Sequence, residues 1–468
     1  MERVNAWTTY QEADLVELEK INKEYRILLD KCKTERECVT ETIRIAEAHG
    51  YQNLEDVMAQ NKKLSAGDKV YHSYMNRAIL LYHIGTEDME KGMNILGAHI
   101  DSPRIDIKQV PLFEEKGYVY LDTHYYGGIK KYQWLSTPLA LHGVVYKIDG
   151  TKVEISIGEA ENDPVFVITD LLPHLGQEQN KKTAAEFVRG EKLDLLIGNK
   201  PYVCEENEVE NDKKEVKSAE EAIKKLLKSE YDIEEEDFMS AELEIVPAMK
   251  ARECGLDRSM IIGYGQDDRV CAFTSLMAML ELQEVGRTVC CIMADKEEIG
   301  SVGATGMNSR LFENSVAEVM ECAGQYSSLK AKRAMANSFM LSSDVSAAYD
   351  PLYAECFESK NSAYLGKGIV FNKYTGARGK SGSSDASPDF VAKIRNIMEA
   401  NGIVSQTAEL GAVDAGGGGT IALFMAKYGM HVIDSGVAVL GMHAPYEVTS
   451  KADIYEAYKA YKAFIIYA

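Results

Sequence analysis

The spacing of apolar and polar residues changes several times along the chain. From Trp7 to Gly50, "WTTYQEADLVELEKINKEYRILLDKCKTERECVTETIRIAEAHG", apolar residues recur at helical intervals, and Gly50 is a natural stop. The spacing predicts helical structure over about the first 85 residues. The apolar run 93–100, "MNILGAHI", then predicts a strand.

Between 105 and 247 the pattern is that of short strands separated by glycine and polar turns, as in "GYVYLDTHYYGG", "LALHGVVYKIDG", "KVEISIG" and "DPVFVITDL". The charged stretch "CEENEVENDKKEVKSAEEAIKKLLKSEYDIEEEDF" predicts a surface loop and a helix. From 248 onward strands and helices alternate, which is typical of an α/β sheet covered by helices on both faces. We therefore predict an α/β domain formed by 1–104 and 248–468 and interrupted by a β-rich inserted domain at 105–247.

Composition narrows the class of protein. The 468 residues are enough for two domains, and the net charge of -21 argues against a nucleic-acid partner, whose phosphates need a basic surface. We expect no membrane association, because no apolar run reaches the roughly 18 residues that span a bilayer. The acidic start "MERVNAWTTYQEADLVELEK" is unlike a signal peptide, and the nine cysteines form no C-x-x-C pair. We expect a cytoplasmic protein with reduced, mostly buried cysteines.

Several apolar runs end in residues that can bind metals. In open α/β sheets ligand sites gather at the carboxyl ends of strands, so we expect these run ends to meet in one crevice. The runs "MNILGAHID", "MIIGYGQDD", "TVCCIMADKEE", "NSFMLSSD" and "GVAVLGMH" supply His99, Asp101, Asp267, Asp268, Asp295, Glu297, Glu298, Asp344 and His443.

The residue types point to divalent metals. Two histidines and several carboxylates suit zinc, cobalt or manganese. In the H-x-D pattern Asp101 lies on the same strand face as His99, where it can accept the ring N–H. Two ions close together need a bridging carboxylate, for which Asp267 is the candidate, and the adjacent glutamates can supply one ligand and one base. Taken singly, each residue has a simpler explanation as a hydrogen-bonded histidine or a solvated turn.

The segments "GAHIDSPR", "GQDDRV", "DKEEIGS", "SSDVSAAYDP" and "GMHAPYEV" resemble the signature segments of the M18, or aspartyl aminopeptidase, family, in its bacterial form. The resemblance covers nearly the whole chain and includes the place of the insertion. It implies a three-layer zinc-peptidase domain with a dinuclear site. It gives no ligand role to Asp268, Asp295 or Lys296. We interpret those three as turn-capping or solvated charges. The implied roles are one metal on His99 and Asp344, the other on Glu298 and His443, Asp267 bridging, Glu297 as general base and Asp101 orienting His99.

By this resemblance the chain is a metallo-aminopeptidase that removes the N-terminal residue of peptides with a free N-terminus. The resemblance implies two divalent ions, zinc first with cobalt or manganese as alternatives. It also implies a homo-oligomer, a tetrahedral dodecamer assembled through the insertion. His174, in "TDLLPHLGQE", lies in the segment that in the family reaches a neighbouring active site.

Two further functions stay open on the residues alone. One is a dizinc deacylase or amidohydrolase acting on N-acyl amino acids, and the other is a non-catalytic scaffold stabilised by metal. Specificity is open too, since Glu178 stands where eukaryotic family members have a second histidine. In "GIVFNK" a valine stands where those members have a basic residue, with Lys373 only nearby. We therefore expect neutral N-terminal residues to be accepted at least as well as acidic ones.

Overall fold

The chain forms two compact units. The structure is a computed structural model that describes residues 3–203 and 216–468. The first unit comprises Met1–Ser102, Lys250–Met442 and Tyr446–Ala468, and the second comprises Pro103–Met249 with His443–Pro445. The predicted insertion at 105–247 falls inside the second unit. Cys204 and the acidic run predicted as a loop, 204–215, lie outside the described residues.

The α-helices begin and end where caps and breakers in the sequence place them. Thr34 caps the second helix in a reciprocal pair with Glu37, and a left-handed Asp232 ends the fifth. Within the described ranges no helix is long and apolar enough to cross a membrane. The helices are α1 (Glu12–Lys31), α2 (Glu35–Ala48), α3 (Leu54–Ala59), α4 (Ala184–Phe187), α5 (Ala219–Tyr231), α6 (Gln266–Leu280), α7 (Leu311–Cys322), α8 (Ser328–Ala336), α9 (Pro388–Ala400), α10 (Ala422–Ala426) and α11 (Lys451–Tyr467).

The strands are mostly short, and the longest of them belong to the second unit. They are β1 (Gln52–Asn53), β2 (Lys69–Tyr74), β3 (Ala78–His83), β4 (Asn94–His99), β5 (Arg104–Glu115), β6 (Tyr118–Tyr126), β7 (Leu139–Tyr146), β8 (Lys152–Ile157), β9 (Leu195–Gly198), β10 (Tyr202–Val203), β11 (Val216–Lys217), β12 (Ala241–Pro247), β13 (Arg252–Cys254), β14 (Met260–Gly263), β15 (Val289–Ala294), β16 (Phe339–Ser343), β17 (Ser346–Ala347), β18 (Ile369–Asn372), β19 (Ser405–Thr407), β20 (His431–Gly436), β21 (Ala438–Leu440) and β22 (Glu447–Ser450).

A nine-stranded sheet is the centre of the first unit, in the order β1-β2-β3-β15-β4-β16-β20-β18-β19. Its middle strands β15, β4, β16 and β20 run parallel to one another. Both faces of these strands are buried, so adjacent residues enter different cores. Cys290 packs into one apolar cluster and Cys291 into the other. The expectation of small buried cysteines is confirmed for this pair.

One strand that leads to a predicted site residue lies outside the nine-stranded sheet. Strand β14, which precedes Asp267, belongs to a separate five-stranded sheet in the order β13-β14-β22-β21-β17. It pairs antiparallel with β13 and β22. Asp267, in the first turn of α6, therefore follows a strand of a different sheet from the one that carries His99 and leads to Asp344.

The prediction of helical structure over about the first 85 residues holds for α1, α2 and α3 but is wrong for residues 69–83. Residues 69–83 form the antiparallel hairpin β2–β3, turned at Met75 and Asn76, which both have left-handed φ angles of 53°. The apolar run in β3 is buried along its full length and so carries no helical period. Arg77 lies in the turn of this hairpin.

The second unit contains a six-stranded antiparallel sheet in the order β8-β7-β12-β5-β6-β9. A register irregularity interrupts the β5–β6 pairing between Ile107 and Leu112. The run "DPVFVITDL", which we predicted as a strand, makes only isolated bridges at Phe166, Val167 and Ile168. The predicted helix in the charged stretch is α5.

Candidate metal centre

His99, the last residue of β4, is buried, and an oxygen atom lies close to each of its ring nitrogens. Its Nδ1 donates to the main-chain carbonyl of Asp101 at 2.9 Å, which leaves Nε2 as the ligand atom, 3.1 Å from Oδ1 of Asp267. Burial alone would lower the pKa of His99, but the hydrogen bonds with Asp101 and Asp267 and the nearby Asp344 charge raise it well above its usual value. The ring thus lies in a strongly negative environment.

The structure brings His99, Asp267 and Asp344 together. Each offers one ligand atom, and these atoms lie within 4.8 Å of one another. Burial raises the pKa of Asp344 well above its usual range, and the charge of Asp268 adds to this while His99 opposes it. Ionised carboxylates packed this closely repel each other unless a cation joins them. One imidazole and two carboxylates are a donor set that fits zinc.

Asp267 also lies close to the glutamate pair. One of its carboxylate oxygens and one from Glu298 are within 4.8 Å of each other. The Asp267 main chain is fixed on two sides, since its N–H donates to Glu447 at 3.1 Å and its carbonyl accepts from the Ser102 hydroxyl at 2.7 Å. Sequence reasoning missed Glu447, although it stands in the quoted segment "GMHAPYEV" with His443; its burial is visible only in the structure.

Glu297 and Glu298 occupy a tight turn beyond β15. Lys296 enters the turn with a left-handed φ of 66°, and Gly300 closes it with a φ of 93°. The N–H groups of Glu297 and Glu298 donate to the two carboxylate oxygens of Asp101, at 3.1 and 3.2 Å. Asp101 therefore holds the turn as well as His99. Its carboxylate is 3.4 Å from the His99 ring, farther than its own carbonyl oxygen.

The interpretation of Asp268 and Asp295 as solvated charges is wrong. Both are fully buried. The main-chain N–H of His99 donates to a carboxylate oxygen of Asp268, with 3.4 Å between nitrogen and oxygen. Burial raises the pKa of Asp268 well above its usual value. Asp295 is 3.0 Å from Nε of Arg77 and 3.3 Å from Lys296. An acid that follows a strand is solvated only when the strand end is uncovered, and here other segments cover it.

His443 belongs to the second unit, with Ala444 and Pro445. It adopts a left-handed φ of 65°, and its Nδ1 donates to the carbonyl of Gly128 at 2.9 Å. That contact orients the ring and leaves Nε2 as the nitrogen on the opposite side, as in metal-binding histidines. His174, in the same unit, is exposed.

Known proteins resemble this chain over its whole length. The family described as "Aminopeptidase I zinc metalloprotease (M18)" matches residues 28–465. A curated relative from Clostridium acetobutylicum, "Probable M18 family aminopeptidase 1", is 54% identical over 461 residues, or 98% of this chain and 97% of the relative.

Solved structures agree with this. A crystal structure of an M18 aminopeptidase from Thermotoga maritima superposes with a TM-score of 0.93 at 42% identity and covers 100% of both chains. The S. cerevisiae mApe1 dodecamer has a TM-score of 0.74 and covers 95% of this chain and 96% of its own, but at 20% identity it shows likeness of fold alone. By family and by relatives of high identity, this chain belongs to the M18 family of zinc metalloproteases, aminopeptidases that hydrolyse peptide bonds.

Proposed function

We propose that this M18 aminopeptidase uses a dinuclear metal site with Glu297 as its general base. The observation that carries the proposal is the position of Asp267. Its carboxylate lies within 4.8 Å of ligand atoms of His99 and Asp344, and within the same distance of Glu298. A carboxylate between two groups of donors is what a bridging ligand requires.

Each residue has a distinct part in the proposal. His99 and Asp344 would hold one ion, Glu298 and His443 would hold the other, and Asp267 would be shared by both. Zinc is the metal of the family, and cobalt or manganese suits the same donors. Two such ions, when bound, would polarise the scissile carbonyl and lower the pKa of an attacking water to about 7.

The protein's own groups move the proton. Glu297 is partly exposed on its turn, so its carboxylate can take the proton of the attacking water and return it to the departing amine. Asp101 fixes the backbone under Glu297 and Glu298, which keeps the two adjacent carboxylates in separate roles. The base is thus positioned by hydrogen bonds to its own main chain.

Assembly and location are parts of the same proposal. The S. cerevisiae relative is described as a dodecamer, and we propose a homo-oligomer here, with the insertion at 105–247 forming its subunit contacts and a tetrahedral dodecamer as its final form. Light scattering of the full chain and of a variant lacking the insertion tests this, and an unchanged large oligomer in the deletion variant contradicts it. A cytoplasmic location stays a prediction.

A metal titration tests the central proposal. The purified protein is stripped with a chelator and reloaded with zinc, cobalt or manganese while hydrolysis of leucine p-nitroanilide is followed. Full activity should require a second equivalent of metal, and N-acetyl-leucine p-nitroanilide should not be cleaved, because a free amine is needed. Full activity with one equivalent contradicts the dinuclear site. Release of the acyl group from N-acetyl-leucine would favour the deacylase, and no turnover of any substrate would favour the scaffold.

A further inference from the structure

A buried cluster of charges lies directly behind the turn that carries the two glutamates. Arg77 forms ion pairs with Glu35 and with Asp295, the latter at 3.0 Å from Nε. Both carboxylates are completely buried, and the Arg77 side chain is 13% exposed. The hydroxyl of Thr305 donates to the same oxygen of Asp295.

Three distant parts of the chain meet in this cluster. Glu35 is the first residue of α2, Arg77 lies in the β2–β3 hairpin turn, and Asp295 follows β15 directly. The Asp295 backbone also bridges to Gly306. Removing carboxylates from water is unfavourable unless a cation compensates them, and Arg77 supplies that charge to two of them at once. Its planar guanidinium suits the task, because it can present N–H groups in two directions.

The cluster is joined to the proposed base by a very short piece of backbone. Only Lys296, in its left-handed conformation, separates Asp295 from Glu297. At the far end of this piece, the N–H groups of Glu297 and Glu298 are bound by Asp101. The segment 295–298 is therefore held at one end by Arg77 and Thr305 and at the other by Asp101.

We propose that Arg77, acting through Asp295, is a positioning residue that sets where the Glu297 carboxylate lies. The proposal rests on the proposed role of Glu297 as general base. The ion-pair partners of Arg77, Glu35 and Asp295, are not among the proposed ligands, and Asp101 binds the Glu298 N–H from the other side, so loss of Arg77 should impair proton transfer while the metals stay bound. A purely structural arginine would change stability alone.

The first test compares variants of two positively charged side chains that are largely or fully buried, Arg77 and Lys451. Lys451 is a matched control in the same unit, since it is 1% exposed and pairs with Glu19 at 2.9 Å and Glu253 at 2.6 Å. In zinc-loaded protein, Arg77→Met should lower kcat by about 10–100-fold, the range seen for supporting residues of metal sites, with KM and zinc content near wild type. Lys451→Met should lower the melting temperature but leave kcat within about twofold, because its ion pairs are not connected to the turn.

A double-mutant cycle tests whether Arg77 acts through Asp295. Asp295→Asn should lower kcat about as much as Arg77→Met, and the double variant should be no worse than either single one, because both break the same link. Additive losses would overturn the proposal. If Arg77→Met does not fold, Arg77→Lys serves in the same cycle, since lysine keeps the charge but lacks the two-directional guanidinium.

Hydrogen exchange of the metal-free protein gives a readout that needs no activity. Peptides covering 295–301 should exchange faster in Arg77→Met than in the wild type or in Lys451→Met. Equal exchange in the two variants, or a kcat loss reproduced by Lys451→Met, overturns the proposal. A wild-type protein that hydrolyses no substrate would contradict the proposed function instead, and the exchange comparison would still decide whether Arg77 holds the turn.

Discussion

The two halves of the candidate site are fixed in different ways. His99 ends β4 and Asp344 follows β16, and these neighbouring parallel strands have a register that aligns their ends. The turn of Glu297 and Glu298 extends past the end of β15 and is held by side chains, chiefly Asp101 on one side and Arg77 on the other. Regular structure places the first half, and long-range polar contacts place the second.

This difference separates two kinds of damage. Changes among the ligands should release metal, because the donors themselves are lost. Changes to the residues that support the turn, as distinct from the proposed ligand Glu298 itself, should lower the rate more than they release metal, because the proposed base moves while the strand ends stay in place.

The largest effect is expected at Asp267. Asp267→Asn keeps the size of the side chain but removes the charge that we propose both ions share, so both should be lost and activity should fall to that of the metal-free protein. Bound metal measured by plasma emission, together with kcat/KM, checks this. The exposed Asp389, in the first turn of α9, gives a control in Asp389→Asn. Retention of two equivalents of metal by Asp267→Asn would break the assignment.

A smaller effect is expected at Asp101, which contacts both halves. In Asp101→Asn the amide oxygen can accept only one of the N–H groups of Glu297 and Glu298, and the amide N–H₂ would face the other, which needs an acceptor. We expect kcat/KM to fall roughly 10–100-fold, with less metal lost than in Asp267→Asn. Steady-state kinetics and metal analysis on the same preparations measure kcat/KM and the bound metal. Metal loss as complete as in Asp267→Asn would place Asp101 with the ligands alone.

The smallest effect is expected from the substrate's N-terminal side chain, which leaves both halves intact. Lys373 forms an ion pair with Asp385, and Lys380 contacts the same carboxylate at 2.9 Å, so the nearest basic candidate already has a counter-charge. We expect kcat/KM for N-terminal Leu or Ala to equal or exceed that for Asp or Glu. A panel of aminoacyl p-nitroanilides measures the ratio. A strong preference for acidic residues would show that another cation supplies the pocket.

The proximity of His99 and Asp344 was easier to predict from the sequence than the contacts that hold the turn. His99 and Asp344 are polar residues at the ends of apolar runs, and because such runs form parallel strands, their ends meet. Asp267 was also singled out, but its separate sheet was not, since a four-residue strand such as β14 carries too little pattern to show its partners.

The contacts that hold the turn of Glu297 and Glu298 could not be predicted from the spacing of apolar residues. Arg77 was assigned to a helical region, and without the hairpin nothing brings it near Asp295. Asp268 and Asp295 were misread as solvated, because their burial depends on segments distant in sequence. The grouping of His443 with the second unit had no sequence signal either. A contact between two residues far apart in the sequence produces no periodic spacing of apolar residues, so one sequence alone does not reveal it.

The most direct test of the account compares glutamine at the two adjacent positions. Glu297→Gln removes proton transfer without changing size, so metal content should stay near wild type while kcat falls by about 10²–10⁴-fold. Glu298→Gln removes a charged ligand, so one ion should be lost and activity should be partly restored by excess zinc or cobalt. Metal content by plasma emission and turnover at several metal concentrations are measured for both variants. Loss of metal in Glu297→Gln with retention in Glu298→Gln would reverse the assignment, and full activity in both would contradict the hydrolytic mechanism.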